Sequence, residues 1–132
     1  MTTTTSAADL LLTVAEPTRL RILNCLAAAP LFVSDLQAIL DLPQPTVSRH
    51  LQVLRRAELV RDTPIAQFVL YRLRRQPGAS GGVLTAILDA VRNDVAMRTE
   101  RDRAAERSRS NIQSRIESPP AYRTMLRAKS PS

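Results

Sequence analysis

The chain has 132 residues, 44% hydrophobic but only 3% aromatic, with 19 Lys and Arg against 12 Asp and Glu for a formal charge of +7. That length suits one domain with a modest core, and the basic excess suits a polyanionic partner, although an arginine-favouring composition by itself would produce the same charge. No run approaches the roughly 18 apolar residues of a membrane span, and Met1 to Ser6 lacks the basic start of a secretory signal, so no membrane partner and a cytoplasmic location are expected. A single cysteine cannot close an internal disulfide, which agrees with a reducing compartment.

Thr2 to Ser6 is a polar run, and residues 1–6 are expected to fray. Asp9 to Val14 then carries Leu10, Leu11, Leu12 and Val14, too apolar a set for a solvated helix. Glu16-Pro17 opens a second helix with Pro17 in its first turn and Leu20, Ile22, Leu23 and Leu26 facing inwards. Arg19 and Arg21 lie on other sides of it, either solvated or touching phosphate. Pro30 ends this helix, and Leu31 to Val33 is a short apolar connection.

Two paired helices follow. In the first, over 34–40, Ser34 is the expected N-cap, Asp35 lies in the first turn, and Leu36, Ile39 and Leu40 form a core stripe. After Asp41-Leu42-Pro43 the second runs over 44–57 with Pro45 in its first turn. Val47, Leu51 and Leu54 recur at intervals of four and three and make one buried stripe. Thr46, Ser48, Arg49 and Gln52 point elsewhere, and such short or forked hydrogen-bonding groups reach base edges and phosphates when a helix lies in a major groove. Two short helices with a connection of this length have the layout of a helix-turn-helix.

Strands are expected at 59–63 and over Gln67 to Leu73, where Val69, Tyr71 and Leu73 share a face, making a two-stranded hairpin. Gln76 to Gly82 holds all three glycines and a proline and reads as a flexible linker. Beyond it Leu84, Leu88, Val91 and Val95 step by four, three and four, with Ile87 beside them. A seam that narrow suits burial against a second copy of the chain, or else packing back on its own domain. From Arg98 to Arg115 the charges alternate with almost no apolar stripe, which suggests a helix extended into solvent, and from Ser118 the composition reads as disordered.

Glu16 to Leu23, Val33 to Leu36, Gln44 to Leu51, Leu54 to Val60 and Tyr71 to Leu73, in that order, resemble the successive motifs of the ArsR/SmtB-type bacterial repressors. The resemblance covers roughly residues 10 to 75. It implies a mainly α fold with a small β-hairpin, a winged helix-turn-helix followed by a long C-terminal dimerisation helix. The domain boundaries that follow are a frayed N-terminus at 1–6, a winged helix-turn-helix domain with dimerisation helices at 7–98, and a charged helical extension with a disordered tail at 99–132. It further implies a homodimer whose interface draws on Leu10, Leu11, Leu84, Ile87, Leu88, Val91 and Val95. The expected partner is double-stranded DNA, read as an inverted repeat. The expected contacts are Gln44, Pro45, Thr46, Ser48, Arg49 and His50, with Ser34 near a phosphate and Arg61 and Arg72 on the wing. The tip Thr63-Pro64-Ile65-Ala66 departs from the family, which commonly has a glycine and a basic residue there, so minor-groove contact by the wing is in question.

The ligand chemistry of the family is missing at the matching positions. Where arsenic- and cadmium-type members carry Cys-x-Cys, this chain has Phe32 and Ser34, and where zinc-type members place Asp, His and Glu on the last helix, it has Asp89, Asp94 and Glu100 with no histidine. No metal site and no cofactor are expected, and the inducer is unknown. Cys25, the only thiol, is either a small buried hydrophobe or a redox sensor, with Arg21 one turn away and able to lower its pKa. His50, the only histidine, has no second ligand near it in sequence. With no nucleophile–base pair or phosphate loop, an enzyme is not expected. Three alternatives stay open: a thiol-responsive regulator through Cys25, a winged-helix protein-interaction module, and a non-specific DNA-binding protein.

Overall fold

The computed structural model describes residues 6–117, so the expectations for residues 1–5 and 118–132 lie outside the described residues. Helix α1 (Ala7–Val14) starts on the Ser6 hydroxyl, which accepts the Asp9 N–H at 3.1 Å. Leu10 and Val14 are buried within this chain, whereas Leu11 and Leu12 stay exposed at 51% and 74%. Helix α2 (Pro17–Ala28) has Pro17 in its first turn, and the Glu16 carboxylate accepts the Arg19 N–H at 2.8 Å. It buries the run from Ile22 to Leu26.

Leu31–Phe32 forms a strand, β1, where the sequence suggested only a connection. With β2 (Val60–Ile65) and β3 (Phe68–Leu73) it makes an antiparallel sheet ordered β1-β3-β2, so the expected hairpin is the larger part of a three-stranded sheet. A two-residue strand is too short to show an alternation, and its pairing with Leu70 and Tyr71 is long-range. The placement of β1 also changes the reading of β3. Leu70 is buried as deeply as Tyr71, and Val69, which the alternation grouped with Tyr71, is 37% exposed. Adjacent strand residues face opposite sides, so both sides of this sheet are covered. Leu31 and Tyr71 join the main core, and Phe32 packs on Phe68 edge to face at 5.8 Å on the other side.

Helix α3 (Val33–Leu40) and helix α4 (Gln44–Arg56) form the helix-turn-helix. The N-cap of α3 is Phe32 rather than Ser34, and Asp35 reaches back to accept the Phe32 N–H at 2.9 Å. Asp41 closes α3 in the left-handed region, with φ 56°, which a short polar side chain tolerates. Val47, Leu51 and Leu54 of α4 are fully buried.

The expected flexible linker is helical from Gly78, the start of α5 (Gly78–Val91). Gly81 lies against the main chain of Gln76, where an added Cβ would come within 1.7 Å of the carbonyl oxygen. Glycine serves close packing there, which composition does not distinguish from flexibility. The expected continuous seam is broken after Val91, because Asp94 caps a new helix, α6 (Val95–Glu117), by accepting the Met97 N–H at 3.0 Å. Leu84 and Leu88 pack into the chain's own core, Ile87 and Val91 are partly buried, and Val95 is 79% exposed beyond the break. Leu10, Leu84 and Leu88, expected at an interface with a second copy, are each fully or nearly fully covered within one chain.

Nor does the charged stretch extend into solvent. Helix α6 is continuous across the expected boundary at residue 98 and lies along α2, α3 and β1. Its inner face is polar: Glu100, Ala104, Arg107, Ser108, Asn111 and Arg115 recur at threes and fours. Arg21 of α2 pairs with Glu100, the Asn24 amide donates to the Met97 carbonyl at 2.9 Å, and the Ser108 hydroxyl donates to the Pro30 carbonyl at 2.6 Å. The Arg103 guanidinium donates to the Ile39 and Ala38 carbonyls at 3.2 and 3.1 Å, and Arg107 and Asn111 both donate to the Asp35 carboxylate. A periodicity search for apolar residues cannot detect a helix held in this way.

Candidate nucleic-acid interface

Pro43 caps α4, and its carbonyl accepts the N–H groups of Thr46 and Val47 at 3.1 and 3.2 Å. Because the apolar stripe of α4 is completely buried, the opposite side is forced outwards. Gln44, Pro45, Arg49 and Gln52 are exposed there, and Thr46 and Ser48 are half-buried. The Gln44 amide donates to the Ser48 hydroxyl at 2.6 Å, so two candidate contacts already hold each other in place.

His50 belongs to a different side of the helix. Its Nδ1 lies 3.7 Å from the Glu16 carboxylate and has no hydrogen-bond partner, with only 17% of the side chain exposed. Burial disfavours the charged form of Glu16, but the Arg19 and Thr18 N–H groups, with His50 and Arg19 nearby, outweigh this and hold its carboxyl below the usual range. His50 thus joins α4 to the start of α2, a packing role.

On the wing, Arg61 and Arg72 are both exposed and sit directly opposite each other in the β2/β3 register. Like charges at paired positions repel, and neither is in an ion pair among the described residues. Their neighbours differ: Arg55 meets Asp62 at 3.2 Å and Arg74 meets Glu58 at 3.1 Å. An unneutralised arginine pair beside α4 is what a polyanion would stabilise. The tip closes through Ala66 at φ 55° and carries no charge.

Ser34 is exposed at the start of α3, but its hydroxyl accepts from Arg115 of α6 at 3.0 Å. That guanidinium stacks over Phe68 and Phe32, 3.9 and 4.3 Å from the ring centroids. Arg115 is therefore a cation beside the helix-turn-helix that sequence reasoning missed. It borders a hollow of about 270 Å³ together with Ser34, Gln37, Gln44 and Val69. Its only sequence signal was its helical phase with Arg107 and Asn111.

Cys25 is completely buried, and burial followed by the nearby Glu100 charge pushes its thiol up to about 12, against weaker pulls from Arg21 and Arg103. Arg21 does not activate it, because its guanidinium is engaged by Glu100, and that pairing also ends the reading of Arg21 as a phosphate contact. Arg19 is likewise engaged, donating to the Thr13 carbonyl at 2.7 Å. Among the described residues no three His, Cys, Asp or Glu side chains come together as a metal site would require, and no helix is long and apolar enough to cross a membrane.

Residues 16–62 match the family described as "Bacterial regulatory protein, arsR family". The chain is 41% identical over 75 residues to the biofilm growth-associated repressor of Agrobacterium fabrum, covering 57% of this chain and 64% of that protein. It is 32% identical over 60 residues to the transcriptional repressor SdpR of Bacillus subtilis, covering 46% and 67%. The structure is similar to that of reduced HlyU from Vibrio cholerae, with a TM-score of 0.55 and 33% identity over 65% of this chain and 85% of that one.

Proposed function

Because the chain belongs to the arsR family of bacterial regulatory proteins, a family of winged-helix transcription regulators and not of enzymes, we propose that it is a homodimeric repressor reading an inverted-repeat operator through α4. The observation that carries the reading is the division of α4 into a wholly buried apolar stripe and an outward face on which Gln44 and Arg49 are exposed and Thr46 and Ser48 are half-buried. Such a face offers forked donors and acceptors to base edges. Arg61, Arg72 and Arg115 flank it and suit phosphates. A DNA partner implies a cytoplasmic location.

Dimerisation in this reading uses apolar groups that one chain leaves open, Leu11 and Leu12 on α1 and Val95 on α6, together with the partly buried Val91 at the end of α5. Sedimentation of the parent and of Leu12→Glu tests this: the parent should sediment as a dimer and the variant should shift towards monomer, and equal masses would exclude this surface. No family metal ligands stand at Phe32 and Ser34, so the signal is proposed to be something other than a soft metal.

The operator reading is tested by titrating labelled DNA from upstream of the gene against random DNA of equal length. Arg49→Ala should weaken specific binding about tenfold or more, the loss of one good base contact of about 1–3 kcal/mol. Arg61→Ala or Arg72→Ala should weaken both DNAs alike and lower the salt slope by about 1. Unchanged affinity of the Arg49 variant would remove that residue from the interface, and equal affinity of the parent for both DNAs would favour the non-specific alternative.

A further inference from the structure

Between the second half of α2, the end of α5 and the start of α6 lies a cavity of about 370 Å³, within the range of small-molecule sites. Four arginines, Arg75, Arg92, Arg98 and Arg101, line it against two carboxylates, Asp89 and Asp102, an excess of 4 − 2 = 2 positive charges. Asp89 is taken by Arg92 at 3.3 Å. Arg75 meets only the neutral Thr85 hydroxyl, at 3.2 Å, and Arg98 is in no ion pair among the described residues. Arg101 donates from Nη2 to the Arg92 carbonyl, but its Nε is buried with no acceptor. A buried guanidinium N–H without a partner is costly, and clustered guanidinium groups are the usual receivers of a carboxylate.

Ala28 and Ala105 also line a second, more open hollow of about 490 Å³ beside α6, where Ala29 and Ile112 add apolar surface next to Ser108, Arg109 and Gln113. The first hollow is cationic with an unmet donor, and the second is mostly apolar.

We propose that this composite site binds a small amphiphilic carboxylate, with its head among Arg75, Arg98 and Arg101 and its apolar body over Ala28, Ala105 and Ile112. Its consequence for regulation rests on the repressor reading above. Helix α6 carries Arg98 and Arg101 at the site and, one to two turns later, Arg103 and Arg107, which grip α3 of the helix-turn-helix. A ligand that draws the start of α6 towards α5 therefore acts on the helix that supports α4.

The test is isothermal titration of the full chain, without DNA, using octanoate, 1-octanol and inorganic phosphate as probes. Failure there leaves the operator reading standing, since no operator is involved. Octanoate should bind saturably at one site per chain, and the double variant Arg98→Gln/Arg101→Gln should weaken it by about tenfold or more, the expected loss of charge-assisted hydrogen bonds. Ile112→Asp, on the open side of α6, should weaken it without touching the arginines and serves if the double variant fails to fold by circular dichroism. Absence of saturable octanoate binding, equal affinity in a folded variant, or octanol binding as tightly as octanoate would overturn the proposal. Phosphate binding as tightly as octanoate would overturn the amphiphile form of it. Operator affinity measured with saturating octanoate should shift, and an unchanged value would refute the coupling to α3.

Discussion

Replacing Asp35 by Ala removes the group on which three parts of the molecule converge. The carboxylate is completely buried, accepts the Phe32 N–H at 2.9 Å through Oδ2, and receives Arg107 at 3.2 Å and the Asn111 amide through Oδ1. Loss of an N-terminal cap bond costs about 1 kcal/mol. Breaking a buried ion pair by deleting one partner costs about 3–5 kcal/mol, because the remaining charge is stranded. Arg107 is 37% exposed and recovers water, so the lower end applies, and the total is about 4 kcal/mol. With an m-value of about 2 kcal/mol per molar urea, the unfolding midpoint should fall by about 2 M at fixed protein concentration. Arg107→Ala, which leaves the Asp35 carboxylate still held by the Phe32 N–H and the Asn111 amide, should cost less than Asp35→Ala. The double variant should cost less than the sum of the two. A drop below about 0.5 M for Asp35→Ala, or strict additivity, would show that α6 does not hold α3 through this carboxylate.

Cys25 should resist alkylation by iodoacetamide at pH 8 in the folded chain and react at once in denaturant; fast reaction of the folded chain would contradict its burial. Its thiol is raised from 9.0 to about 12 in the folded state, so its contribution to stability is fully present below pH 9 and is lost as pH rises towards 12. Denaturation midpoints for the parent and Cys25→Ala across that window should converge with rising pH, and parallel curves would refute the linkage. Gly81→Ala should lower the thermal midpoint by several degrees, since the new methyl meets the Gln76 carbonyl at 1.7 Å, whereas Gly82→Ala, with nothing within 4 Å, should raise it or leave it unchanged. The opposite order would mean that 76–82 behaves as the flexible linker its composition suggests.

The helix-turn-helix and its outward face were legible in the chain because they rest on local rules. The 4-3 spacing of Val47, Leu51 and Leu54 determines which side of α4 is buried, and Pro45 determines where it starts. Burial of one stripe leaves Gln44 and Arg49 outside whatever the rest of the fold does. The wing strands were equally visible in their β-forming residues. What the tertiary structure decided is everything held by polar groups or by pairs distant in sequence. Phe32 becomes a strand residue only because Leu70 lies opposite, Leu84 and Leu88 turn into their own core, and the seam stops at Val91 before Asp94 caps a new helix. The reach of α6 is the largest case. Glu100, Arg107 and Arg103 hold Arg21, Asp35 and the end of α3 respectively. Hydrophobic periodicity records where a chain must hide from solvent, but a hydrogen bond's worth depends on a partner that sequence spacing does not identify.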